Sequence, residues 1–180
     1  PKYGIGITPH TALQGTLSVA SGRISYVFGL TGPCYSVDTA SSASMVSLHI
    51  ACKLAKTSEC ASSIGAGINL ALNPATFAML ATSRMMAADG RCKTLDQSAD
   101  GYVRSETCGV VQLHPTHSAT TQRLLLLLGS SVNQDGRSSS LTAPNGPAQQ
   151  AGIRDALRNG ACRASQCTQL ELHGSGTSLG

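Results

Sequence analysis

The chain has 180 residues, of which 41% are hydrophobic, 12% charged and 3% aromatic, and its formal net charge is +4 at pH 7. Intrinsic disorder requires low hydrophobicity together with high net charge, so this composition excludes a disordered chain and predicts one folded domain or part of a larger one. The longest apolar run, residues 124–129, is far shorter than the roughly 20 residues of a membrane-spanning helix, and the scattered basic residues give no support to nucleic-acid binding.

The first predicted elements precede a cluster of small hydroxyl residues. Residues 22–30 are expected to form a short helical or turn segment, and the β-branched character of residues 35–39 predicts a strand. From Ser42 onward apolar residues recur at helical spacing, which predicts a helix to about Lys56. A tight turn between strand and helix therefore carries the hydroxyl residues.

The next predicted strand contains two glycines. Apolar residues 62–70 predict this strand, and Gly65 and Gly67 within it indicate a close approach of another backbone. The pair Asn73-Pro74 is typical of a helix start, and the helix is expected to reach about Met85.

The second half continues the alternation. Strands are predicted at residues 109–113, 124–132 and 168–172, and the leucine run in the second of them indicates a buried strand. A helix is expected to begin at Pro147, to reach about Arg158 and to end at Gly160. Strands that alternate with helices predict an α/β fold.

Seven cysteines, an odd number, contain no C-x-x-C pair and no zinc-type spacing. They are expected to be free thiols in a reducing compartment, which favours a cytoplasmic location. No charged segment precedes an apolar one at the start, so no signal peptide is expected. Asp96, Asp100 and Glu106 lack the spacing of a calcium loop and are expected to be loop or salt-bridge residues.

Two segments could carry chemistry. In the turn at residues 37–44 a side chain would lie at a helix N-terminus, where free N–H groups stabilise negative charge; ordinary helix capping is the alternative interpretation. At residues 171–177 a strand delivers His173 to a glycine-rich loop, where it could act as acid, base or oxyanion donor or simply bond the loop backbone. Both predicted strands should open into one crevice, so we expect His173 to lie near Ser41.

Motifs in collinear order along nearly the whole chain resemble those of β-ketoacyl synthase (ketosynthase) domains, above all those of type I modular polyketide synthases. The motifs are GRISY at 22–26, GLTGP at 29–33, VDTASSAS at 37–44, LH at 48–49, DGRCK at 89–93, Asp96, ADGYVR at 99–104, NQDGRSS at 133–139, LTAPNGPAQQ at 141–150 and HGSGT at 173–177. Helix capping does not account for so many matching blocks.

The resemblance implies a thiolase-like α/β fold with two similar halves in a layered αβαβα arrangement, normally as a homodimer. Residues 1–113 would belong to the N-terminal half, 114–122 would connect the halves, and 123–180 would begin the C-terminal half. The chain starts without Met and ends in a glycine-rich turn, and we expect it to be an internal fragment.

The resemblance also implies roles for four residues. Ser41 stands at the position of the family's nucleophilic cysteine, and His173 corresponds to a histidine that assists decarboxylation and stabilises the carbanion. Ser175 and Thr177 match hydroxyls that contact the phosphopantetheine arm of an acyl carrier protein. A second histidine and a nearby lysine would lie beyond Gly180.

Three positions depart from the family pattern. Ser41 replaces the cysteine, and Ser175 replaces a threonine, which is a conservative change. Ser105-Glu106-Thr107 replaces Gly-Glu-Gly, at a turn expected to need positive φ.

The predicted function is the decarboxylative Claisen condensation of an acyl chain with a malonyl-type extender, an acyltransferase reaction. The implied partners are acyl carrier protein and neighbouring synthase domains, and no cofactor or metal bound by the domain itself is expected. The main alternative is a non-condensing ketosynthase that passes chains on, decarboxylates extenders or serves as a dimerisation module. A serine hydrolase using Ser41 is a third interpretation, for which no Asp/His pair is placed by motif.

Overall fold

The computed structural model describes residues 10–115 and 124–177. Their helices and strands, in chain order, are α1 (Thr11–Gln14), α2 (Leu17–Phe28), α3 (Ala43–Lys56), β1 (Ser63–Asn69), α4 (Pro74–Thr82), β2 (Thr107–Leu113) and α5 (Gly146–Asn159). Single 3₁₀ turns occupy Ala40–Ser42, directly before α3, and Ala164–Gln166. The strands β1 and β2 pair with each other. Among the described residues, no helix combines the length and the apolar character needed to cross a membrane.

The chain divides into two compact units. The first comprises Pro1–Gly67 with Val110–Ala119, and the second comprises Ile68–Gly109 with Thr120–Gly180. Ser41 belongs to the first unit and His173 to the second. Most of the predicted connection at 114–122 lies outside the described residues, so the division into thiolase-like halves stays a prediction.

Most of the predicted helices and two of the predicted strands are confirmed. The helix predicted from Ser42 is α3, and the strands predicted at 62–70 and 109–113 are β1 and β2. The Asn73 side chain accepts a hydrogen bond of 2.9 Å from the backbone N–H of Ala75, which caps α4. This helix ends at Thr82, three residues earlier than expected.

Two further helices differ only in their bounds. The predicted segment 22–30 is the second half of a longer helix, α2, which ends where Gly29 adopts a left-handed φ of 63°. The helix predicted from Pro147 is α5, and its N-cap Asn145 accepts a hydrogen bond of 3.3 Å from the N–H of Ala148.

The strands predicted at 35–39, 124–132 and 168–172 were wrong. A strand requires a ladder of backbone hydrogen bonds to a neighbouring strand. In the described part of the chain these three segments form no such ladder. The prediction of burial was wrong too, since Leu124 and Leu125 are each 90% exposed. Residues 129–133 instead run along α5, where the Asn159 amide donates a 3.0 Å hydrogen bond to the carbonyl of Ser130.

The buried apolar side chains of the described residues centre on α3. They are Ala51, Cys52, Ala55 and Ala87, of which the first three lie on that helix. The close approach predicted at Gly65 and Gly67 is confirmed: a Cβ on Gly67 would lie 2.5 Å from Cβ of Ser44, and a Cβ on Gly65 would lie 3.1 Å from Cα of Leu48. The missing side chains of β1 thus let α3 pack directly against the strand.

Gly67→Ala is expected to destabilise the protein, because the added methyl would overlap Ser44, whose Cβ has no rotamer by which to move away. Overpacking of this kind costs about 1–3 kcal/mol. The matched control is Gly22→Ala in the middle of α2, where an added Cβ would meet nothing within 4 Å. That control should be neutral or stabilising by up to about 1 kcal/mol. Chemical denaturation of both variants measures the difference, and equal stability would contradict the packing of α3 on β1.

Candidate functional site

The first candidate segment places Ser41 at the start of a long helix. Ser41 is the central residue of the 3₁₀ turn Ala40–Ser42, which leads without interruption into the 14-residue helix α3. Ala40 adopts a left-handed φ of 53°, and its N–H donates a 3.2 Å hydrogen bond to the Asp38 carboxylate. The turn therefore directs the chain sharply into α3 and leaves Ser41 exposed.

Capping does not account for Ser41. The N-cap of α3 is Ser42, and its side chain makes no capping hydrogen bond. The Ser42 hydroxyl instead lies 2.8 Å from both the carbonyl and the hydroxyl oxygens of Thr39. The Ser41 side chain makes no hydrogen bond to another described residue, so its hydroxyl is available at the positive end of the helix dipole.

A cavity of about 460 Å³ lies in the same unit, beside the segment that leads to Ser41. Residues 35–39 line it together with His49, Ile50, Lys53 and Leu54 of α3. Burial, and then the positive charges of Lys53 and Lys56, lower the pKa of His49 below its ordinary value. The His49 imidazole is therefore mainly neutral at pH 7, which is favourable in a cavity wall that it shares with the apolar side chains of Ile50 and Leu54.

The second candidate segment places His173 at the start of a half-buried loop. His173 itself is exposed, while residues 174–177 are partly buried. Gly174 and Gly176 have left-handed φ values of 48° and 63°, which the two glycines adopt without steric cost. Between them the chain turns so that the Ser175 and Thr177 hydroxyl oxygens lie 3.3 Å apart. We call residues 173–177 the His173 loop.

The His173 loop is held by residues 89–101, which we call the supporting segment. The Thr94 hydroxyl donates a hydrogen bond to the carbonyl of Gly174, and the Gly101 N–H donates one of 3.0 Å to the carbonyl of Gly176. The structure thus brings His173, Ser175 and Thr177 together on one supported loop. It places Ser41 in the other unit, so the proximity of Ser41 and His173 stays a prediction.

Two salt bridges from one lysine, Lys93, stabilise the supporting segment. The Lys93 ammonium lies 2.7 Å from the Asp100 carboxylate and 3.1 Å from that of Asp89. These contacts, that with Asp100 first, raise the pKa of Lys93, and the hydrogen bond from Lys93 lowers the pKa of Asp89. The expectation that Asp100 is a salt-bridge residue is confirmed.

The stabilising effect of this bridge should depend on pH at both ends of the scale. The contribution of Asp89, whose pKa is lowered, is fully present above the ordinary value of about 3.9 and is lost as pH falls through the lowered pKa. That of Lys93, whose pKa is raised, is fully present below about 10.4 and is lost as pH rises through the raised pKa. Between about pH 5 and pH 9 both groups are fully charged, so Lys93→Met should lower Tm most in this range. The same decrease at pH 3 and pH 7, measured by thermal unfolding, would contradict the bridge.

Residues 105–107 adopt a backbone that the sequence did not indicate. None of the three has positive φ, so the turn accepts Ser105 and Thr107 without strain, contrary to the expectation. Thr107 is already the first residue of β2. The Glu106 carboxylate accepts a 2.8 Å hydrogen bond from the N–H of Ala71, which makes Glu106 a loop-fixing residue.

The seven cysteines are free thiols. In the part of the chain that the structure describes, no group of three His, Cys, Asp or Glu side chains could hold a metal ion.

Two family models match almost the whole chain. Residues 4–119 match the model described as the beta-ketoacyl synthase N-terminal domain, and residues 124–180 match that of the beta-ketoacyl synthase C-terminal domain.

Curated relatives are large polyketide synthases. The chain is 44% identical over 186 residues to polyketide synthase GfsA of Streptomyces halstedii, an alignment that covers 100% of this chain and 2% of that protein. It is 42% identical over 174 residues to erythronolide synthase EryA2 of Saccharopolyspora erythraea, with 95% of this chain and 5% of that protein covered. The chain thus spans a small fraction of the length of these relatives.

Solved structures of ketosynthase domains share the fold. The oxazolomycin ketosynthase domain OzmH KS7 of Streptomyces albus JA3453 has a TM-score of 0.88 and 31% identity, with 91% of this chain and 29% of that chain covered. The ketosynthase from module 6 of the bacillaene synthase of Bacillus subtilis 168 has a TM-score of 0.84 and 31% identity, with 90% and 30% covered. The predicted thiolase-like α/β fold is confirmed.

Proposed function

The chain belongs to the β-ketoacyl synthase family, and we propose that it supplies the acyl site and part of the extender site of a condensing domain in a modular polyketide synthase. The family reaction is the decarboxylative Claisen condensation of an acyl chain with a malonyl-type extender, in which the domain acts as an acyltransferase, and Ser41 in place of the cysteine is expected to slow it. The observation that carries the proposal is Ser41, free and exposed at the N-terminus of α3, inside a sequence that matches the family on both sides.

Residue 41 is the position that receives the acyl chain. The side-chain oxygen of Ser41 would attack the thioester carbonyl of an acyl chain on phosphopantetheine, forming a bond to the acyl carbon. The carbon–sulfur bond then breaks, and the phosphopantetheine thiol leaves with the proton that residue 41 has lost. The positive end of the α3 dipole favours negative charge in this region, as acyl transfer requires.

His173 acts on the extender. When the bond between the malonyl carbon and its carboxylate breaks, carbon dioxide leaves and the electron pair passes into the thioester as an enolate. A hydrogen bond from the His173 imidazole to the thioester oxygen stabilises that charge. The enolate carbon attacks the acyl carbonyl, the bond to residue 41 breaks, and residue 41 takes up a proton from solvent.

Ser175 and Thr177 are proposed to bind the phosphopantetheine arm. Their hydroxyl oxygens lie 3.3 Å apart on the His173 loop, close enough for both to hydrogen bond to one short polar segment of the arm. The partners are therefore acyl carrier protein, whose phosphopantetheine brings the substrates, and neighbouring polyketide synthase domains. By family, the condensing domain is expected to be a homodimer.

A non-condensing domain is the second candidate function, and the identity of Ser41 favours it. A cysteine at a helix N-terminus is readily ionised, whereas a serine hydroxyl needs an adjacent base. Asp38 is bound by the N–H of Ala40, and no described residue makes a hydrogen bond to the Ser41 hydroxyl. A domain of this kind would bind carrier protein and decarboxylate the extender without forming a carbon–carbon bond.

The test uses the full-length gene product that carries this sequence. It is supplied with an acyl primer and a malonyl carrier protein, and acyl-enzyme, carbon dioxide and ketoacyl product are followed together. Carbon dioxide release that depends on His173 supports an extender site in both candidate functions. Ketoacyl product identifies a condensing domain, its absence identifies the non-condensing one, and the lack of both carbon dioxide and product would overturn the proposal.

A further inference from the structure

The supporting segment makes contacts with the His173 loop that the reaction chemistry alone does not require. Thr94 donates its hydroxyl hydrogen to the carbonyl of Gly174, the residue directly after His173, although Thr94 and Gly174 are 80 residues apart in sequence. The other hydrogen bond, from Gly101 to Gly176, holds the far side of the loop. The contact nearest to His173 is therefore the one made by Thr94.

Thr94 also fixes Gly174 by its shape. A Cβ on Gly174 would lie 2.7 Å from the Thr94 methyl carbon and 3.3 Å from its hydroxyl oxygen. Gly174 has a left-handed φ of 48°, a conformation that costs residues with a side chain roughly 1–2 kcal/mol. The Thr94 hydroxyl thus holds the carbonyl of Gly174, and the backbone conformation and the space beside Thr94 both require glycine at this position.

Thr94 is itself held in place. Its neighbour Lys93 bridges Asp89 and Asp100, at opposite ends of the supporting segment. The Lys93 carbonyl also accepts a 3.1 Å hydrogen bond from the N–H of Asp96, which closes a turn around Thr94. The Thr94 hydroxyl therefore lies on a turn that salt bridges and a backbone hydrogen bond hold in place, as is required of a group that orients another residue.

We propose that Thr94 is a positioning residue that sets the orientation of His173 by holding the carbonyl of Gly174. The proposal rests on the proposed role of His173 in decarboxylation. Catalytic groups must be held within a fraction of an ångström of their productive geometry, and His173 is exposed and makes no side-chain hydrogen bond or ion pair to another of the described residues. Loss of the Thr94 hydroxyl should therefore misplace the imidazole without removing it.

The test compares Thr94→Val, which keeps the shape of the side chain but lacks the hydroxyl, with Thr94→Ser, which keeps the hydroxyl. In the full-length gene product, Thr94→Val should lower kcat for decarboxylation of malonyl carrier protein by roughly 10- to 100-fold, with KM changed by less than about threefold. Thr94→Ser should stay within about threefold of the parent kcat. The matched control is Thr82→Val, which removes an exposed hydroxyl that donates to a helix carbonyl of α4.

A spectroscopic measurement separates the proposal from the proposed function. With ¹³C-labelled histidine, the His173 ring resonance, assigned from His173→Gln, should shift or broaden in Thr94→Val and stay in place in Thr94→Ser and Thr82→Val. His173→Ala in the decarboxylation assay tests the role of His173 by itself. If His173→Ala remains active, the proposed function fails, while the resonance still reports whether Thr94 positions the ring.

Three results would overturn the proposal. The first is an unchanged His173 resonance in Thr94→Val. The second is equal loss of activity in Thr94→Val and Thr94→Ser, which would show that the residue matters for its bulk. The third covers a failure to fold: if Thr94→Val and Thr94→Ala are both insoluble while Thr94→Ser is native, the hydroxyl maintains the fold and does not position His173.

Discussion

Ser41→Cys should raise condensation by the full-length gene product by about 100-fold or more, the lower end of what a positioned general base contributes to a rate. Acyl-enzyme formation should rise in parallel, because the acyl chain must reach residue 41 before condensation. Intact-protein mass spectrometry measures the acyl-enzyme, and chromatography of the released thioesters measures the product.

The physical reason is ionisation of the nucleophile. The N-terminus of α3 favours an anion by about 1 kcal/mol, which is enough to shift a thiol with an ordinary pKa near 8.5 toward partial ionisation at neutral pH. A serine hydroxyl has a pKa several units higher, and each unit corresponds to about 1.4 kcal/mol. The same helix therefore leaves Ser41 protonated.

Ser42→Cys is the control for a thiol placed in the same turn. The Ser42 hydroxyl is directed toward Thr39 and belongs to the N-cap of α3, so a thiol there should not raise condensation. Equal condensation by the parent and Ser41→Cys would show that Ser41 is a competent nucleophile, and the non-condensing interpretation would then be wrong.

His173→Ala should lower decarboxylation of malonyl carrier protein by roughly 100-fold or more, the usual effect of removing one donor that stabilises a developing oxyanion. The negative charge that forms when carbon dioxide leaves has to be stabilised whether or not residue 41 carries an acyl chain. The loss should therefore be equally large in the parent and in Ser41→Cys. Release of carbon dioxide from a labelled extender measures it directly.

The control is His114→Ala, which removes an exposed histidine directly after β2. Its rate of decarboxylation should equal that of the parent. A His173→Ala variant that releases carbon dioxide at the parent rate would remove His173 from the extender site.

Local signals in the sequence predicted the helices well. Asn73 before Pro74 is a short-range capping pattern, and it caps α4 as the pattern requires. Pro147 marked the start of α5 to within one residue. The close approach at Gly67 was also predictable, because a glycine within an apolar strand often marks a place where another backbone comes near.

Features that depend on distant residues were not predictable in the same way. The leucine run at 124–128 is short and apolar, as a buried strand is, but a strand needs a partner, and composition contains no information about pairing. Thr94 was missed as a contact of the His173 loop because 80 residues separate it from Gly174. The supporting segment was singled out through the family resemblance and through Asp96 and Asp100 as loop or salt-bridge residues, and neither signal indicated that it contacts the His173 loop.

The ratio of carbon dioxide released to ketoacyl product formed, measured in one reaction of the full-length gene product, tests most directly the claim that His173 controls decarboxylation and residue 41 controls condensation. The parent should release carbon dioxide in large excess over product, because the extender site is intact while Ser41 accepts acyl chains poorly. Ser41→Cys should bring the ratio close to one, since each enolate then meets an acyl-enzyme. A ratio close to one in the parent, or an unchanged excess in Ser41→Cys, would contradict this division of roles.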